Sequence, residues 1–226
     1  HDLQRLADLG PELRYLTRAW DFDLDAAPAV QAEARRCLQK VVAGAPRLVP
    51  ALTLLAANHL ADGPTTGDSM TRAAELLGRA TRLAPASAAP LRWLSELLRL
   101  QGDTAAAVLA GRRALDANPD DLTAVAAYGA LMARTGDDER AAFLLSRVVS
   151  ESPSAPKWVQ FYDALALEAL GRTREADERA AFFAGSASSL HLTAFALRAH
   201  RRGDAAAAAA AIAALRRREP DFDTDR

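Results

Sequence analysis

Glycines and prolines recur along this chain at an almost constant interval, and that beat restricts it to a fold built of short helices stacked in series. Gly102, Gly136, Gly171 and Gly203 form one series, and Pro85, Pro119, Pro153 and Pro220 form a second with offsets of 34, 34 and 67 residues. Each proline closes an apolar helical pattern and separates it from the next. Within each unit an apolar helix ends at glycine, a second begins at once, and alanine follows five residues past the turn, at Ala107, Ala141, Ala176 and Ala208. Two antiparallel helices need one tight reversal inside the unit and another between units. Glycine takes the left-handed helix-capping conformation without penalty. Proline cannot continue the helix before it and suits the start of the one after. Alanine is needed where the two helices cross closely.

Two consecutive units align without a gap. From Ala88 to Asp121 the first helix carries Leu91, Leu94, Ser95 and Leu98, the turn is Gln101-Gly102-Asp103, and the second helix carries Ala107, Gly111, Ala114, Leu115 and Pro119. From Leu122 to Ala155 the same slots hold Val125, Tyr128, Gly129, Met132, Gly136, Ala141, Leu145, Val148 and Pro153. A final unit, Ser189 to Phe222, supplies Leu192, Phe195, Ala196, Ala199, Gly203, Ala208, Ile212, Leu215 and Pro220. The unit between, about Pro156 to Ser188, absorbs a register shift, because its glycine falls 35 residues after Gly136 and 32 before Gly203. Upstream, Leu48 to Ser87 reads as a unit whose turn is lengthened to Ala61–Asp68, which predicts a protruding loop. Ala34, Leu38, Val41 and Pro46 read as a second helix, with Tyr15 to Trp20 its degenerate first helix and Asp2 to Leu9 a lead-in.

These slots resemble the tetratricopeptide repeat, whose unit is 34 residues long. The resemblance implies an all-α fold, a right-handed superhelical solenoid of antiparallel helix pairs with about five to six repeats. The expected organisation is one domain over 1–226, with degenerate helices at 1–47, repeats at 48–87, 88–121, 122–155, 156–188 and 189–222, and a tail at 223–226. Composition agrees. The chain is half apolar and only 6% aromatic, which suits helices packed through small residues, and no strand alternation is present.

Charge and residue types exclude several function classes. A formal net charge of −1 gives no global attraction to nucleic acid or acidic membranes, so neither partner is expected, and the Arg216-Arg217-Arg218 cluster reads as a solvated helix end. Cys37, the single cysteine, permits no internal disulfide or cysteine metal cluster and reads as a small core residue. No apolar stretch reaches the roughly 18 residues of a membrane span, so this segment is not expected to insert into a bilayer. The first residue, His1, is not methionine, which predicts a processed form or an excised piece. His1, His59, His191 and His200 lie on separate units with no metal-ligand spacing. No phosphate loop, dinucleotide fingerprint or nucleophile elbow occurs. The expectation is a non-enzyme with no catalytic residue, no metal and no cofactor.

A narrower likeness lies in the order of motifs toward the C-terminus. Ser152-Pro153-Ser154-Ala155-Pro156-Lys157-Trp158 precedes an alanine-rich helix, a shortened repeat and a closing Arg218-Glu219-Pro220-Asp221-Phe222. This resembles the C-terminal repeat modules of bacterial class III adenylate cyclase-like proteins and membrane-anchored winged-helix transcription regulators. Tyr15-Leu16-Thr17-Arg18 and Ala34-Arg35-Arg36-Cys37-Leu38 look like the opening of the same modules. Departures are the absent cyclase or winged-helix domain and the missing acidic residue before Pro85. The resemblance implies a bacterial sensory or partner-binding module attached to an output domain, either cytoplasmic or periplasmic.

In such a solenoid the concave face is built from slots 2, 5, 6, 9 and 12 of each first helix. From Ala88 these are Ala89, Arg92, Trp93, Glu96 and Arg99. From Leu122 they are Thr123, Ala126, Ala127, Ala130 and Ala133, with Arg134 adjacent, and the irregular unit brings Phe161, with Trp158, Gln160 and Tyr162 beside it. An alanine floor flanked by aromatics and arginines suits a protein or peptide partner, and the same groove can receive a second copy of the chain. The structural alternatives are that Trp93 and Tyr162 pack against neighbouring repeats, that Trp158 caps the turn after Pro156, and that Arg92, Glu96 and Arg99 form a solvated, mutually paired face. Lysine and asparagine at the slots that clamp a peptide's terminal carboxylate are missing, and Asn58 falls on the wrong face. The expected function is a non-enzymatic interaction or scaffold module in a bacterial signalling or envelope system. The alternatives are the regulatory region of a larger nucleotide cyclase or glycan-modifying enzyme, and an envelope secretion or assembly factor.

Overall fold

Each glycine of the beat reverses the chain in the same way. Gly102, Gly136, Gly171 and Gly203 have φ of 83°, 83°, 74° and 76°, a region that costs a side-chain-bearing residue roughly 1–2 kcal/mol. Just past each one, the amide of the next residue bonds back five positions: Asp103 to Leu98, Asp137 to Met132, Arg172 to Leu167 and Asp204 to Ala199, at 2.9–3.0 Å. This bond satisfies a carbonyl that the ending helix leaves open. In three of the four turns the residue after glycine is aspartate, whose carboxylate accepts from the amide three residues on (Ala106, Arg140 and Ala207) and so starts the second helix. The fourth is Arg172, which makes no side-chain cap.

The prolines make the other reversal. Ser87 N–H bonds Ala84 C=O across Pro85, Asp121 bonds Asn118 across Pro119, and Leu48 bonds Ala45 across Pro46, at 3.0–3.2 Å. These are turns with proline at the second position, where its fixed φ is already correct.

The computed structural model describes residues 28–61, 67–152, 155–182 and 189–218. These carry helices α1 (Pro28–Gly44), α2 (Val49–Leu60), α3 (Gly67–Leu83), α4 (Ala88–Leu100), α5 (Thr104–Ala117), α6 (Leu122–Thr135), α7 (Asp138–Glu151), α8 (Lys157–Ala169), α9 (Thr173–Ala181), α10 (Ser189–Arg201) and α11 (Ala205–Arg218). No strand occurs among the described residues. The fold is all-α and made of helix pairs. Asp2–Leu9, Tyr15–Trp20, Pro153, Pro220 and Phe222 lie outside the described residues, as does most of the lengthened turn. That turn is shorter than expected, because α3 already begins at Gly67.

The helices form two compact units, one running to Leu131 and one starting at Met132. In the first, each helix from α1 to α4 packs on the next and α2 also packs on α4. Helix α2 is apolar around its circumference, and every residue from Ala51 to Leu60 is buried. Asn58 is sealed inside by Arg35 Nε (2.7 Å) and by its own amide donating to Gln31 C=O (3.1 Å), so it serves the α1–α2 contact. Leu91, Ala88, Ala114 and Ala124 form the core between α4, α5 and α6. Gly111 on α5 lets α6 approach, because a Cβ there would lie 2.8 Å from Tyr128 Cδ2 and 3.0 Å from Ser95 Oγ. Cys37 is half-buried, a shallower site than the core position expected, because it flanks rather than joins the buried Leu38–Val41 stripe of α1.

In the second unit α7 packs on α8, α8 on α9 and α10, and α10 on α11. Ala141, Ala176 and Ala208 are buried, as the crossing requires. The irregular repeat differs in chemistry as well as spacing: its second helix, α9, is 9 residues long and buries only Ala176 among apolar residues. Ion pairs supplement that thin contact. Asp163, with no side-chain exposure, accepts from Arg179 Nε at 2.8 Å and from Ser146 Oγ at 2.9 Å, joining α7, α8 and α9. Arg198 on α10 pairs with Glu168 at 2.5 Å and with Asp177 at 2.9 Å. Arg202 reaches the same two acids. Phe195 remains 46% exposed, unlike Tyr128 at the same slot. By slot, counted from Pro156, the residue that corresponds to Gly111 in the irregular repeat is Arg179, which Asp163 engages.

Three substitutions check these assignments by urea unfolding. Gly102→Ala should cost about 1–2 kcal/mol through its backbone conformation. Gly111→Ala should cost about 1–3 kcal/mol through overpacking against Tyr128. Burial, outweighing the bonds from Arg179 and Ser146, raises the Asp163 carboxyl above its ordinary value. The folded state therefore binds the proton more tightly than the unfolded chain, and this group's contribution to stability falls as pH rises from about 4 through the raised folded value. Asp163→Asn, which resembles the protonated acid, should accordingly cost less stability at pH 7 than at pH 4.

Candidate functional site

The ten residues expected to face a partner fall in both units. On α4, Arg92, Trp93, Glu96 and Arg99 are all half-buried. Spacing of three and four residues along a helix places them on one side, which leaves the opposite side, with Leu91, Ser95 and Leu97, for the core. Arg99 grips Glu96 through two parallel bonds, Nε to Oε2 at 2.8 Å and an NH2 group to Oε1 at 2.7 Å. Trp93 packs its ring against the cluster of Leu52, Leu77, Leu97 and their neighbours, so part of its surface belongs to the fold. The Arg92 guanidinium lies over that ring at 4.6 Å from its centre, within cation–π range.

Arg92 is the group whose electrostatics stand out. Its Nε is shut off from solvent and donates to nothing. Burial lowers its pKa to about 10, against the opposing influence of Asp121 and Glu96. Both carboxylates also have other partners. Glu96 is held by Arg99, and Asp121 Oδ1 accepts from the amides of Thr123 and Ala124 at 2.9 and 3.2 Å, capping α6.

On α6, Ala126 is fully buried and Ala130 is 5% exposed. In the second unit, Arg134 is exposed, and its Nε donates to Tyr162 Oη at 2.8 Å while its guanidinium stacks 4.7 Å from that ring. Tyr162 and Phe161 are buried and meet edge to face at 4.8 Å, whereas Trp158 is half-buried. Of the ten, Arg92, Trp93, Glu96 and Arg99 in the first unit and Arg134 and Trp158 in the second keep part of their side chains accessible. Phe161, Tyr162, Ala126 and Ala130 are buried.

Spacing alone did not point to Asp163, Ser146 and Arg179, or to Arg198 with Glu168 and Asp177. The signal available was an acid at an interior position of the apolar run Val159–Leu167. Of the histidines, His59 is buried and His200 exposed, and His1 and the side chain of His191 lie outside the described residues. No group of three metal-binding side chains comes together among the described residues. No described helix is long and apolar enough to cross a membrane.

Comparisons with known proteins bear on the fold. Residues 98–165 match the tetratricopeptide repeat family, covering α5, α6, α7 and most of α8. No curated protein matches the chain by sequence. Among solved structures, the chain is similar to pilF of Pseudomonas aeruginosa, with a TM-score of 0.64 and 18% identity over 98% of this chain and 94% of that one. It is also similar to a chain of the APC/C hetero-tetramer Cut9–Hcn1, with a TM-score of 0.71 and 16% identity over 97% of this chain and 42% of that one. The Thermobaculum terrenum O-GlcNAc transferase matches at a TM-score of 0.50 and 22% identity, over 67% of this chain and 27% of the enzyme. The glycine turns, the buried alanines and the helix pairs agree with that family match, and residues 98–165 of this chain carry tetratricopeptide repeats.

Proposed function

We propose that the chain is a non-catalytic interaction module that holds a partner protein or peptide against the first helices of its repeats. The observation that carries this reading is the stacking of Arg92 on Trp93 and of Arg134 on Tyr162. Arginine and aromatic side chains held rigid and partly desolvated are the usual anchors of protein interfaces, and here packing has already restricted their rotamers, which lowers the entropic cost of binding. The bacterial signalling or envelope setting follows the likeness of the C-terminal motifs to the repeat modules of cyclase-like proteins and winged-helix regulators.

A second reading is favoured by one comparison. The O-GlcNAc transferase shares this fold over about a quarter of its own length, so the chain can equally be the regulatory region of a larger glycan-modifying or nucleotide-cyclising enzyme. In that reading the same first-helix surface binds the enzyme's substrate protein or its own catalytic domain.

Capture from a bacterial lysate on the immobilised chain, read by mass spectrometry, separates site from scaffold. The double variant Arg134→Ala/Trp158→Ala should lose its specific partners, on the order of 30-fold for an anchor worth roughly 2 kcal/mol, with its helical circular dichroism intact. Phe143→Ser, at a 74% exposed position on α7, should capture them normally. Equal capture by all three proteins rejects the first-helix site.

A further inference from the structure

Helix α9 buries too little apolar surface to hold its place by packing alone. It is 9 residues long where α5 and α7 have 14. Ala176 is its one buried residue, whereas α7 buries Leu144, Leu145, Val148 and Val149 as well as two alanines. Beyond Ala176, only Glu175, Arg179 and Ala180 of α9 are even half-buried. A helix shorter than about 12 residues is marginal in water without packing. Segments with few buried apolar contacts are the ones that open locally while the rest of a domain stays folded.

Charge closes α9 on two sides. Arg179 reaches Asp163 on α8 at 2.8 Å, and Asp177 pairs with Arg198 at 2.9 Å and Arg202 at 2.5 Å on α10. The second contact is open to water, with the Asp177 side chain 51% and that of Arg202 35% exposed, so salt screens it. The first holds a carboxylate away from water, and burial disfavours its charged form in spite of the bonds from Arg179 and Ser146. Lifting α9 returns water to Asp163 and recovers part of that lost hydration. The flanking helices are joined without α9. Helix α8 packs directly on α7 and on α10, and Glu168 pairs with Arg198 at 2.5 Å with both side chains buried.

We propose that α9 is a strap that opens and closes on its own while α7, α8 and α10 stay folded, and that ionic strength sets how often it opens. Closed, it covers Asp163 and gives Arg198 a second acid. Open, it exposes that side of α8 and leaves Arg198 to Glu168. The device stands apart from the first-helix surface assigned to a partner, and neither depends on the other.

Amide hydrogen exchange of the whole chain, followed by mass spectrometry, reads the opening. Amides of α9 should exchange about 100-fold faster than those of α7 and α8, with a weaker dependence on dilute urea because little surface is exposed. Raising sodium chloride from about 20 mM to about 0.5 M should speed α9 about three-fold further. Asp177→Asn at low salt should reproduce that increase in α9 and leave α7 and α8 unchanged. Asp116→Asn, which removes a similarly exposed pair with Arg112 on α5, should leave α9 unchanged. Three results overturn the proposal. Amides of α9 that exchange as slowly as those of α8, with the same urea dependence, show that α9 opens only with the whole unit. Exchange of α9 at the rate of an unstructured peptide in low salt shows that the strap never closes. Exchange of α9 that ignores both salt and Asp177→Asn, or that changes in step with α8, removes the ionic control.

Discussion

The hydrogen bond that crosses each glycine turn, from the amide after glycine to the carbonyl five residues back, is the constraint on which everything else rests. It forms only where the residue between can hold a positive φ, and it forces the chain to reverse within two or three residues. Two helices brought back so tightly bury a small residue at their crossing, Ala107, Ala141, Ala176 and Ala208. Close approach buries the apolar faces, and burial holds the first helices in place. The arrangement of Arg92, Trp93 and Arg99 on α4 is thus inherited from a bond in the Gln101–Asp103 turn, formed by none of them.

The irregular repeat shows what happens when one part of that scheme weakens. Its turn is intact at Gly171, with the same φ and the same bond to Leu167. The aspartate cap is replaced by Arg172, however, and α9 stops at Ala181 with only Ala176 as its buried apolar residue. Charged contacts add to the thin apolar one: Asp163 with Arg179, and Glu168 and Asp177 with Arg198 and Arg202. Apolar packing tolerates small shifts of one helix along another. Paired carboxylates and guanidinia specify a single alignment.

The fold was legible because its determinants are local. A glycine at the end of an apolar run, a proline a dozen residues on and an alanine between them each act on their own few neighbours, so the four turns could be placed from spacing alone. The candidate surface was legible only in part. Slot positions located Arg92 and Trp93 on one side of α4, and they located Ala126 and Ala130 on α6. Whether those alanines form an open floor depends on what lies against them, which a single helix does not encode. The same holds for Asp163. An acid within an apolar run signals something unusual, but its partners Ser146 and Arg179 come from two other helices, 17 and 16 residues away. Phe195 illustrates the converse, since its slot matches that of Tyr128 and yet it stays 46% exposed.

The ion pairs among α8, α9 and α10 also set how this end of the chain responds to heat. The hydration of charged groups becomes less favourable as temperature rises, so the cost of holding Glu168 and Arg198 out of water shrinks on warming, while apolar burial gains little further strength. The repeats closed by alanine and leucine have no such compensation. The charged seam around Arg198 therefore strengthens, relative to the alanine crossings, as the protein approaches its melting point.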